Sequence, residues 1–212
     1  LPRRRRVRAG QRGKKEKNII KSYIKEKYNK PGNVFLGLVH RLDRPVGGIM
    51  VFAKSSKAAS KLTKDIVGHN FNKSYVAGVE GRMSRLISKE MKLENYIQKD
   101  KKNHKVMVFD KEMPDSQYAA LYYTPRDVKE NLTLVEVKLI TGRHHQIRAQ
   151  LSHIGFPIIG DYKYGWKEDS KNDFINNGIA LWAYKLTFTH PFSGEELTFK
   201  SLPEDVYPWK EF

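Results

Sequence analysis

The sequence predicts an α+β fold with a mixed, mainly antiparallel central β-sheet and flanking helices. Strand-like segments outnumber helical ones across the 212 residues. Most of them follow one another closely enough to be joined as hairpins. Apolar residues at helical spacing are confined to a few segments, and the chain carries no internal repeat or heptad pattern. Strands interspersed with a few helices are typical of this fold class.

Three segments are predicted to be helical. Residues 18–28 place their apolar side chains on one stripe, and Pro31 with the following glycine breaks this helix. A second helix is expected after Ser55, a suitable N-cap, because apolar residues recur every four positions behind it. A third helix is predicted over residues 143–155, where a glycine ends it.

The predicted strands have apolar runs or alternating patterns. They are residues 48–53, 73–79, 117–123, 132–140, 179–189 and 196–200, with short strands near Tyr96 and at 106–109. Residues 48–53 are continuously apolar, which suits a buried strand, and residues 132–140 alternate as a half-buried strand does. Residues 166–177 are polar and are predicted to form a surface loop.

The charge of the chain is strongly basic and unevenly spread. Forty Lys and Arg face 23 Asp and Glu, which gives a formal net charge of +17. Residues 1–17 hold nine of the basic residues and one Glu, so this segment carries +8 and the remainder +9. Segment 1–17 is predicted to be a disordered basic arm or a vector-derived remnant, and residues 18–212 one folded domain. The charge of that domain indicates a nucleic-acid partner.

Several functional classes are disfavoured by what the sequence lacks. With no Cys there is no disulfide, zinc-thiolate site, iron–sulfur cluster or thiol nucleophile, and this suits a cytoplasmic protein. No apolar run reaches the roughly 18 residues of a membrane span. Phosphate-binding loops, dinucleotide fingerprints and zinc-protease motifs are missing. The pair His144–His145 has poor carboxylate context, so no metal site is predicted.

Two segments carry the candidate chemistry. In the first, Asp43 lies between Arg41 and Arg44, and neighbouring positive charge favours an ionised carboxylate. The alternative is a turn Asp paired with a surface Arg. In the second, a strand ends in a glycine turn and a helix begins, which brings Arg143 and Arg148 to a helix N-terminus that suits an anion. The alternative is a helix start with solvated basic residues.

Four blocks occur in order at natural spacings: HRLDRPVGGIMVFAKSSKAASKL, NKSYVAGVEG, ITGRHHQIRAQLSHIGFPIIGDYKYG and ALWAYKLTFTHPFSGE. In these blocks the chain resembles the RluA-type pseudouridine synthases, from about Lys30 to about Leu202. The resemblance implies the pseudouridine synthase fold with an active-site cleft, activity as an RNA-modifying isomerase, and no metal or organic cofactor.

The resemblance also assigns residues. It implies that Asp43 is the catalytic nucleophile, that Tyr75 lies in the active site, and that Arg148 pairs with Asp43. It associates Arg41 with holding RNA around the extruded nucleotide. Further RNA contacts are expected from the neighbouring basic residues Arg44, Arg143 and His145.

These roles fit the chemistry of uridine isomerisation. The reaction breaks the N1–C1′ bond, rotates the base and forms C5–C1′, so the nucleotide must leave the helix. The guanidinium of Arg41 can fill the vacated stack, and a carboxylate is a competent nucleophile at an anomeric carbon. The Tyr75 ring can stack on uracil, and its hydroxyl can act as an acid or base. Attack of Asp43 on C1′, attack on the base and a glycal route all remain open.

The chain departs from the family pattern in three places. An early strand expected well before His40 is missing, because Asn29–Gly32 lies too close to that residue. Gly47 stands where the family frequently has Ser, and Trp182 where it often has His. An N-terminal RNA-binding domain of the S4 type is not expected in these 212 residues.

A non-catalytic RNA-binding or ribosome-associated module on the same scaffold is the alternative function. A DNA-binding protein lacks a supporting motif. The enzyme is expected to be a monomer that acts on ribosomal or transfer RNA. The Lys-rich stretch 99–111 is either an RNA-contact hairpin or a solvated loop.

Overall fold

A large, mainly antiparallel β-sheet is the main feature of the computed structural model, which describes residues 9–68, 70–167 and 178–212, with side chains from residue 17 onward. The helices are α1 (Ala9–Lys27), α2 (Ser56–Val67) and α3 (Gln146–His153). The strands are β1 (Gly37–Leu38), β2 (Gly47–Gly48), β3 (Phe52–Ala53), β4 (Asn72–Glu80), β5 (Met91–Asp100), β6 (Lys105–Phe109), β7 (Gln117–Lys129), β8 (Leu132–Leu139), β9 (Leu181–Thr189) and β10 (Glu196–Lys200). Short 3₁₀ turns lie at Ser84–Leu86, Tyr162–Tyr164 and Trp209–Glu211.

The chain divides into two compact units, although the sequence predicted one domain from residue 18. The first unit comprises the chain up to Arg41 together with Val51–Lys64, and the second comprises Leu42–Met50 and Asp65–Phe212. In the first unit, β1 pairs with β3, and Ile24 of α1 packs in a small core with Val34 and Leu36. Within the described ranges, no helix is both long and apolar enough to cross a bilayer.

The large sheet of the second unit has the order β10-β9-β4-β8-β7-β5-β6, and β2 adds to β9. Every pairing is antiparallel except that of β2 with β9. The predicted mixed, mainly antiparallel α+β fold is therefore confirmed.

Alternation along the strands produces the core of this unit. In β8 the residues at every second position are buried, and Val135 and Val137 are fully covered. They pack in one cluster with Leu151 and Ile147 of α3. This packing places α3 against the sheet, with its N-terminus beside the loop that leaves β8.

The predicted buried strand at residues 48–53 is wrong. The segment holds parts of two two-residue strands, β2 and β3, which belong to different sheets and different units. Gly48 has a φ of +119°, and a Cβ there would lie 2.3 Å from the Ala183 carbonyl oxygen. This close approach of two backbones requires glycine and ends the extended run.

The N-terminal segment is also corrected. Helix α1 begins at Ala9, so residues 9–17 are helical and not a disordered arm. Residues 1–8 of the predicted arm, and residues 168–177 of the predicted loop, lie outside the described residues. Ser55 acts as the expected cap of α2, because its hydroxyl accepts the Ala58 N–H at 3.1 Å.

Gly47 and Trp182 face one another in the pairing of β2 with β9. A Cβ on Gly47 would lie 2.2 Å from Cζ3 of the Trp182 indole. The indole is anchored, since its Nε1 donates to the Ser201 carbonyl at 2.9 Å. The two departures from the family pattern are therefore linked. The large Trp182 ring fits only because residue 47 is a glycine and has no side chain.

Gly47→Ser is expected to lower the free energy of unfolding by about 1–3 kcal/mol, the usual cost of overpacking. The same change should cost clearly less in a Trp182→His background, where a smaller ring leaves room. Urea unfolding of the wild type, the two single variants and the double variant measures the coupling. Additive costs would contradict the steric explanation.

Candidate active site

A turn on the second unit positions Asp43. The Val46 N–H donates to the Asp43 carbonyl at 2.9 Å and closes the turn, and the Pro45 carbonyl accepts the Ile179 N–H at 3.2 Å. The Ile49 N–H then donates to the Ala183 carbonyl at 2.9 Å. The turn is thus tied to β9 and to the residues before it, so the carboxylate sits on a fixed backbone.

Arg148 connects Asp43 to a second carboxylate. Its Nε and Nη2 donate to Oδ2 and Oδ1 of Asp161 at 2.7 and 2.8 Å, and its Nη1 lies 3.4 Å from Oδ2 of Asp43. The Arg148 and Asp161 side chains are 6% and 1% exposed, whereas that of Asp43 is 25% exposed. Burial alone would lower the pKa of Arg148, but the hydrogen bonds and charge of Asp161, and then the charge of Asp43, raise it.

The arrangement separates the roles of the two carboxylates. Asp161 takes the strong two-point contact and neutralises the buried guanidinium. Asp43 receives only one long contact from Arg148 and retains access to solvent. Asp43 is therefore an oriented carboxylate that is still able to meet a ligand.

Sequence reasoning missed Asp161. The signal was present, since an acidic residue follows the apolar pair Ile158–Ile159, and both of these are fully buried. An Asp next to a buried run needs a partner, but the sequence does not say which of the many arginines supplies it.

His145 lies on the other side of Asp43. Its Nε2 is 3.8 Å from Asp43 Oδ2, and its Nδ1 is 2.8 Å from the Tyr164 hydroxyl. That hydroxyl also accepts the Val106 N–H at 2.9 Å, and burial raises the pKa of Tyr164 to about 12. His145 is the N-cap residue of α3 and has a φ of 53°, a conformation that costs a non-glycine residue about 1–2 kcal/mol.

The imidazole of His145 is neutral at physiological pH. Burial lowers its pKa from 6.5 to about 4, while the Asp43 charge opposes this shift and the Arg148 charge adds to it. His145 was predicted as a basic RNA contact. Its contacts instead join it to the Asp43 carboxylate as an uncharged ring.

This pKa predicts a pH dependence of stability. Between pH 6.5 and about 4 the unfolded chain binds a proton at His145 that the folded chain does not, so stability falls as pH is lowered through this window. His145→Asn, which tolerates a positive φ, should show a shallower decline in urea unfolding between pH 7 and pH 5. His104→Asn, at an exposed turn with a φ of 51°, is the matched control and should follow the wild type. If the stability of all three proteins fell equally between pH 7 and pH 5, the lowered pKa of His145 would be refuted.

Tyr75 lies on β4, where the pairing with β9 shifts register between Ser74 and Tyr75. The side chain is buried, and burial followed by the negative charge of Asp43 raises the pKa of its hydroxyl. Tyr75 is therefore a protonated phenol coupled electrostatically to Asp43. With Arg148 and His145, it completes the group of predicted site residues that the structure brings together.

The other predicted basic residues do not join this group. Arg44 and Arg143 are exposed, and Arg143 Nε donates to the Tyr118 carbonyl at 3.1 Å. Arg41 is exposed and belongs to the first unit. The Arg143 N–H, expected to be open to an anion, donates to Gln146 Oε1 at 2.9 Å. This N–H before helix α3 is therefore satisfied by Gln146 of the helix itself and is not available to an anion.

A carboxylate does lie close to the histidine pair. Ligand atoms of Asp43, His144 and His145 all lie within 4.8 Å of one another. The prediction of poor carboxylate context is therefore wrong, because Asp43, a hundred residues earlier in the chain, folds back onto the pair. The two imidazole rings are stacked with centroids 3.8 Å apart.

The chain is similar to a known protein family, to curated proteins and to solved structures. A family model described as RNA pseudouridylate synthase matches residues 10–153. An uncharacterized RNA pseudouridine synthase, YlyB of Bacillus subtilis, is 36% identical over 171 residues. The tRNA pseudouridine synthase C of Vibrio parahaemolyticus is 32% identical over 180 residues. The solved structure of human RNA pseudouridylate synthase domain containing 4 superposes with a TM-score of 0.72 at 22% identity, and shares the fold.

These matches cover most of the chain but not all of each relative. They span 80% of the chain for both bacterial proteins and 89% for the human structure. In the other direction they span 53% of the Bacillus protein, 72% of the Vibrio protein and 79% of the human chain.

Proposed function

The chain belongs to the RNA pseudouridylate synthase family, and on that premise we propose that it isomerises uridine to pseudouridine in RNA. The proposal rests on one observation, the different environments of the two carboxylates that contact Arg148. Asp161 neutralises the guanidinium, and Asp43 stays partly exposed at its free edge. A protein that only binds RNA has no need for an oriented carboxylate of this kind, because RNA phosphates repel a negatively charged carboxylate.

Asp43 is proposed as the group that acts on the flipped nucleotide. The reaction breaks N1–C1′, rotates the uracil and joins C5 to C1′, after which the C5 hydrogen leaves as a proton and N1 takes up a proton. A carboxylate can form a bond to C1′ or stabilise positive charge there. Arg148 orients it through Nη1, at 3.4 Å from Oδ2.

Tyr75 is proposed to stack on the uracil and to hold a proton near it. Because the pKa of its hydroxyl is raised, it enters the reaction as a donor and not as a phenolate. The buried ring stands on a strand, which is a more rigid support than a loop.

RNA binding is proposed to use the exposed arginines and the basic hairpin. Arg44 and Arg143 can reach phosphates because their side chains face solvent, and Arg41 is proposed to fill the stack that the flipped base leaves. The Lys-rich stretch 99–111 forms the end of the β5–β6 hairpin, and its lysines are exposed. Val106 connects this hairpin through the Tyr164 hydroxyl to His145.

The proposed substrate is ribosomal or transfer RNA, and the proposed protein is a cytoplasmic monomer that needs no metal or organic cofactor. A transfer-RNA substrate is supported by the name of the Vibrio relative. The cytoplasmic setting is supported by the absence of Cys from the sequence.

The test is a tritium-release assay. Ribosomal and transfer RNA transcripts carrying 5-tritiated uridine are incubated with the protein, and isomerisation is expected to release tritium into water. Nuclease digestion and chromatography of the product should then show pseudouridine. Binding to these RNAs without tritium release would support the non-catalytic module instead.

A further inference from the structure

We propose that Asp43, His144 and His145 form a binding site for a transition-metal ion such as Zn²⁺, and that an ion bound there silences the nucleophile. The site takes an ion that prefers imidazole nitrogen, in a set of one carboxylate and two histidines. The binding claim stands on the geometry of these three residues. The claim of inhibition rests on the proposed function.

The spacing of the ligand atoms suits a single ion. Nε2 of His145 and Oδ2 of Asp43 are 3.8 Å apart. Zinc bonds of about 2.0–2.2 Å in a tetrahedral arrangement separate two ligand atoms by roughly 3.3 Å. The third ligand atom lies within 4.8 Å of the other two, and the exposed His144 ring is stacked on the ring of His145. Small side-chain movements therefore complete three ligands and leave a fourth position for water.

Tyr164 prepares His145 for this role. Metal-binding histidines usually engage their second ring nitrogen with a hydrogen-bond partner, which orients the ring. Here Nδ1 lies 2.8 Å from the Tyr164 hydroxyl, and Nε2 is left facing Asp43. The hydroxyl is itself held by the Val106 N–H, so the ring has a fixed support.

The local charge favours one class of cation. Asp161 neutralises Arg148, which leaves the negative charge of Asp43 available to an ion. The lysines Lys99 and Lys163 are close enough to act on His144, and they oppose any cation. An ion held by charge alone, such as Mg²⁺, gains little against them, whereas an ion that bonds to two imidazoles gains two strong ligands.

The proposed reaction does not require this site. His144 and His145 are adjacent in the block ITGRHHQIRAQLSHIGFPIIGDYKYG, and the family resemblance assigns no catalytic role to His144. An ion bound at Oδ2 would occupy the Asp43 carboxylate, the group that acts in the proposed reaction, at the oxygen that also lies 3.4 Å from Arg148 Nη1. Removal of the ion by a chelator would free the Asp43 carboxylate again.

The binding test uses Co²⁺ without RNA. Titration of the whole chain in a non-chelating buffer is expected to give the intense visible absorption of tetrahedral cobalt at one equivalent, displaced by Zn²⁺ and unaffected by excess Mg²⁺. His144→Asn should weaken binding at least tenfold, the order seen even for changes behind the ligands. His153→Asn is the matched control, since His153 lies 2.9 Å from Asp110 in another histidine–carboxylate pair.

The activity test is separate. Zn²⁺ should inhibit tritium release reversibly, and the half-inhibitory concentration should rise at least about tenfold in His144→Asn, with basal activity and the response of His153→Asn unchanged. Equal cobalt binding by His144→Asn and the wild type, or loss of the spectrum in His153→Asn, would overturn the site. If the uninhibited chain released no tritium, the proposed function would fail while the cobalt titration still decided the metal site.

Discussion

Asp43→Asn is expected to abolish pseudouridine formation while RNA binding and the fold persist. Asn keeps the shape of the side chain but cannot act as a nucleophile or balance positive charge at C1′. Arg148 remains paired with Asp161 in this variant, so no buried charge is left alone. The rate of tritium release should fall by more than about a thousandfold, as for other nucleophile replacements.

The controls follow from the same geometry. Thermal unfolding of Asp43→Asn should match the wild type closely, and binding of unmodified RNA at fixed salt should be equal or tighter, because a negative charge is removed. Asp205→Asn, at an exposed carboxylate outside this group and outside the stretch 99–111, should retain full activity. Tritium release from Asp43→Asn at the wild-type rate would refute the assignment of the nucleophile.

Arg148→Lys should lose far more activity than affinity. The guanidinium reaches both oxygens of Asp161 and, through Nη1, also Asp43. A lysine ammonium is a single point and cannot hold these three contacts together. We expect the rate constant for isomerisation to fall at least a hundredfold, as for a displaced catalytic group, with an RNA dissociation constant close to that of the wild type.

Stability provides the second readout for Arg148→Lys. Part of the Asp161 carboxylate loses its donor, which should lower the free energy of unfolding by about 1–3 kcal/mol. Arg143→Lys is the matched control, because Arg143 is exposed and its side chain makes one hydrogen bond, to the Tyr118 carbonyl. Weaker RNA binding by Arg148→Lys with an unchanged rate constant would show that Arg148 serves affinity and not orientation.

Local patterns predicted those elements whose burial is set by their own residues. Strand β8 alternates because one face is covered, and its bounds match the prediction to within one residue. Ser55 caps α2 through a contact three residues away, which a local motif can carry. The helical stripe in residues 18–28 was correct, but α1 starts earlier, at Ala9, although Gly10 and Gly13 disfavour a helix.

Tertiary contacts decided what local patterns missed. The apolar run 48–53 looks like one strand, but the close approach of Gly48 to Ala183 divides it, and these residues are far apart in sequence. Strand β5 carries many charged residues on its exposed face, so its length was underestimated. In such segments the neighbouring strand, and not the segment itself, determines the structure.

The same contrast holds for the candidate site, where the sequence predicted some residues and tertiary contacts determine the others. The family resemblance selected Asp43, Tyr75 and Arg148, and the structure brings them together. The resemblance could not select Asp161, whose importance comes from its contact with Arg148. It also could not reveal that His145 is an uncharged partner of Asp43. Both are properties of a buried environment, which a motif does not describe.

The contact between Gly47 and Trp182 also constrains how the chain can have evolved. If an ancestor carried the Ser and His common in the family, the two replacements could not have occurred in either order with equal ease. A tryptophan arriving while Ser was still present would have met a Cβ about where its ring now lies, at 2.2 Å. From such an ancestor, loss of the serine side chain before the change to tryptophan would have avoided this overlap. Close relatives should include chains with Gly and His at these positions, but few with Ser and Trp.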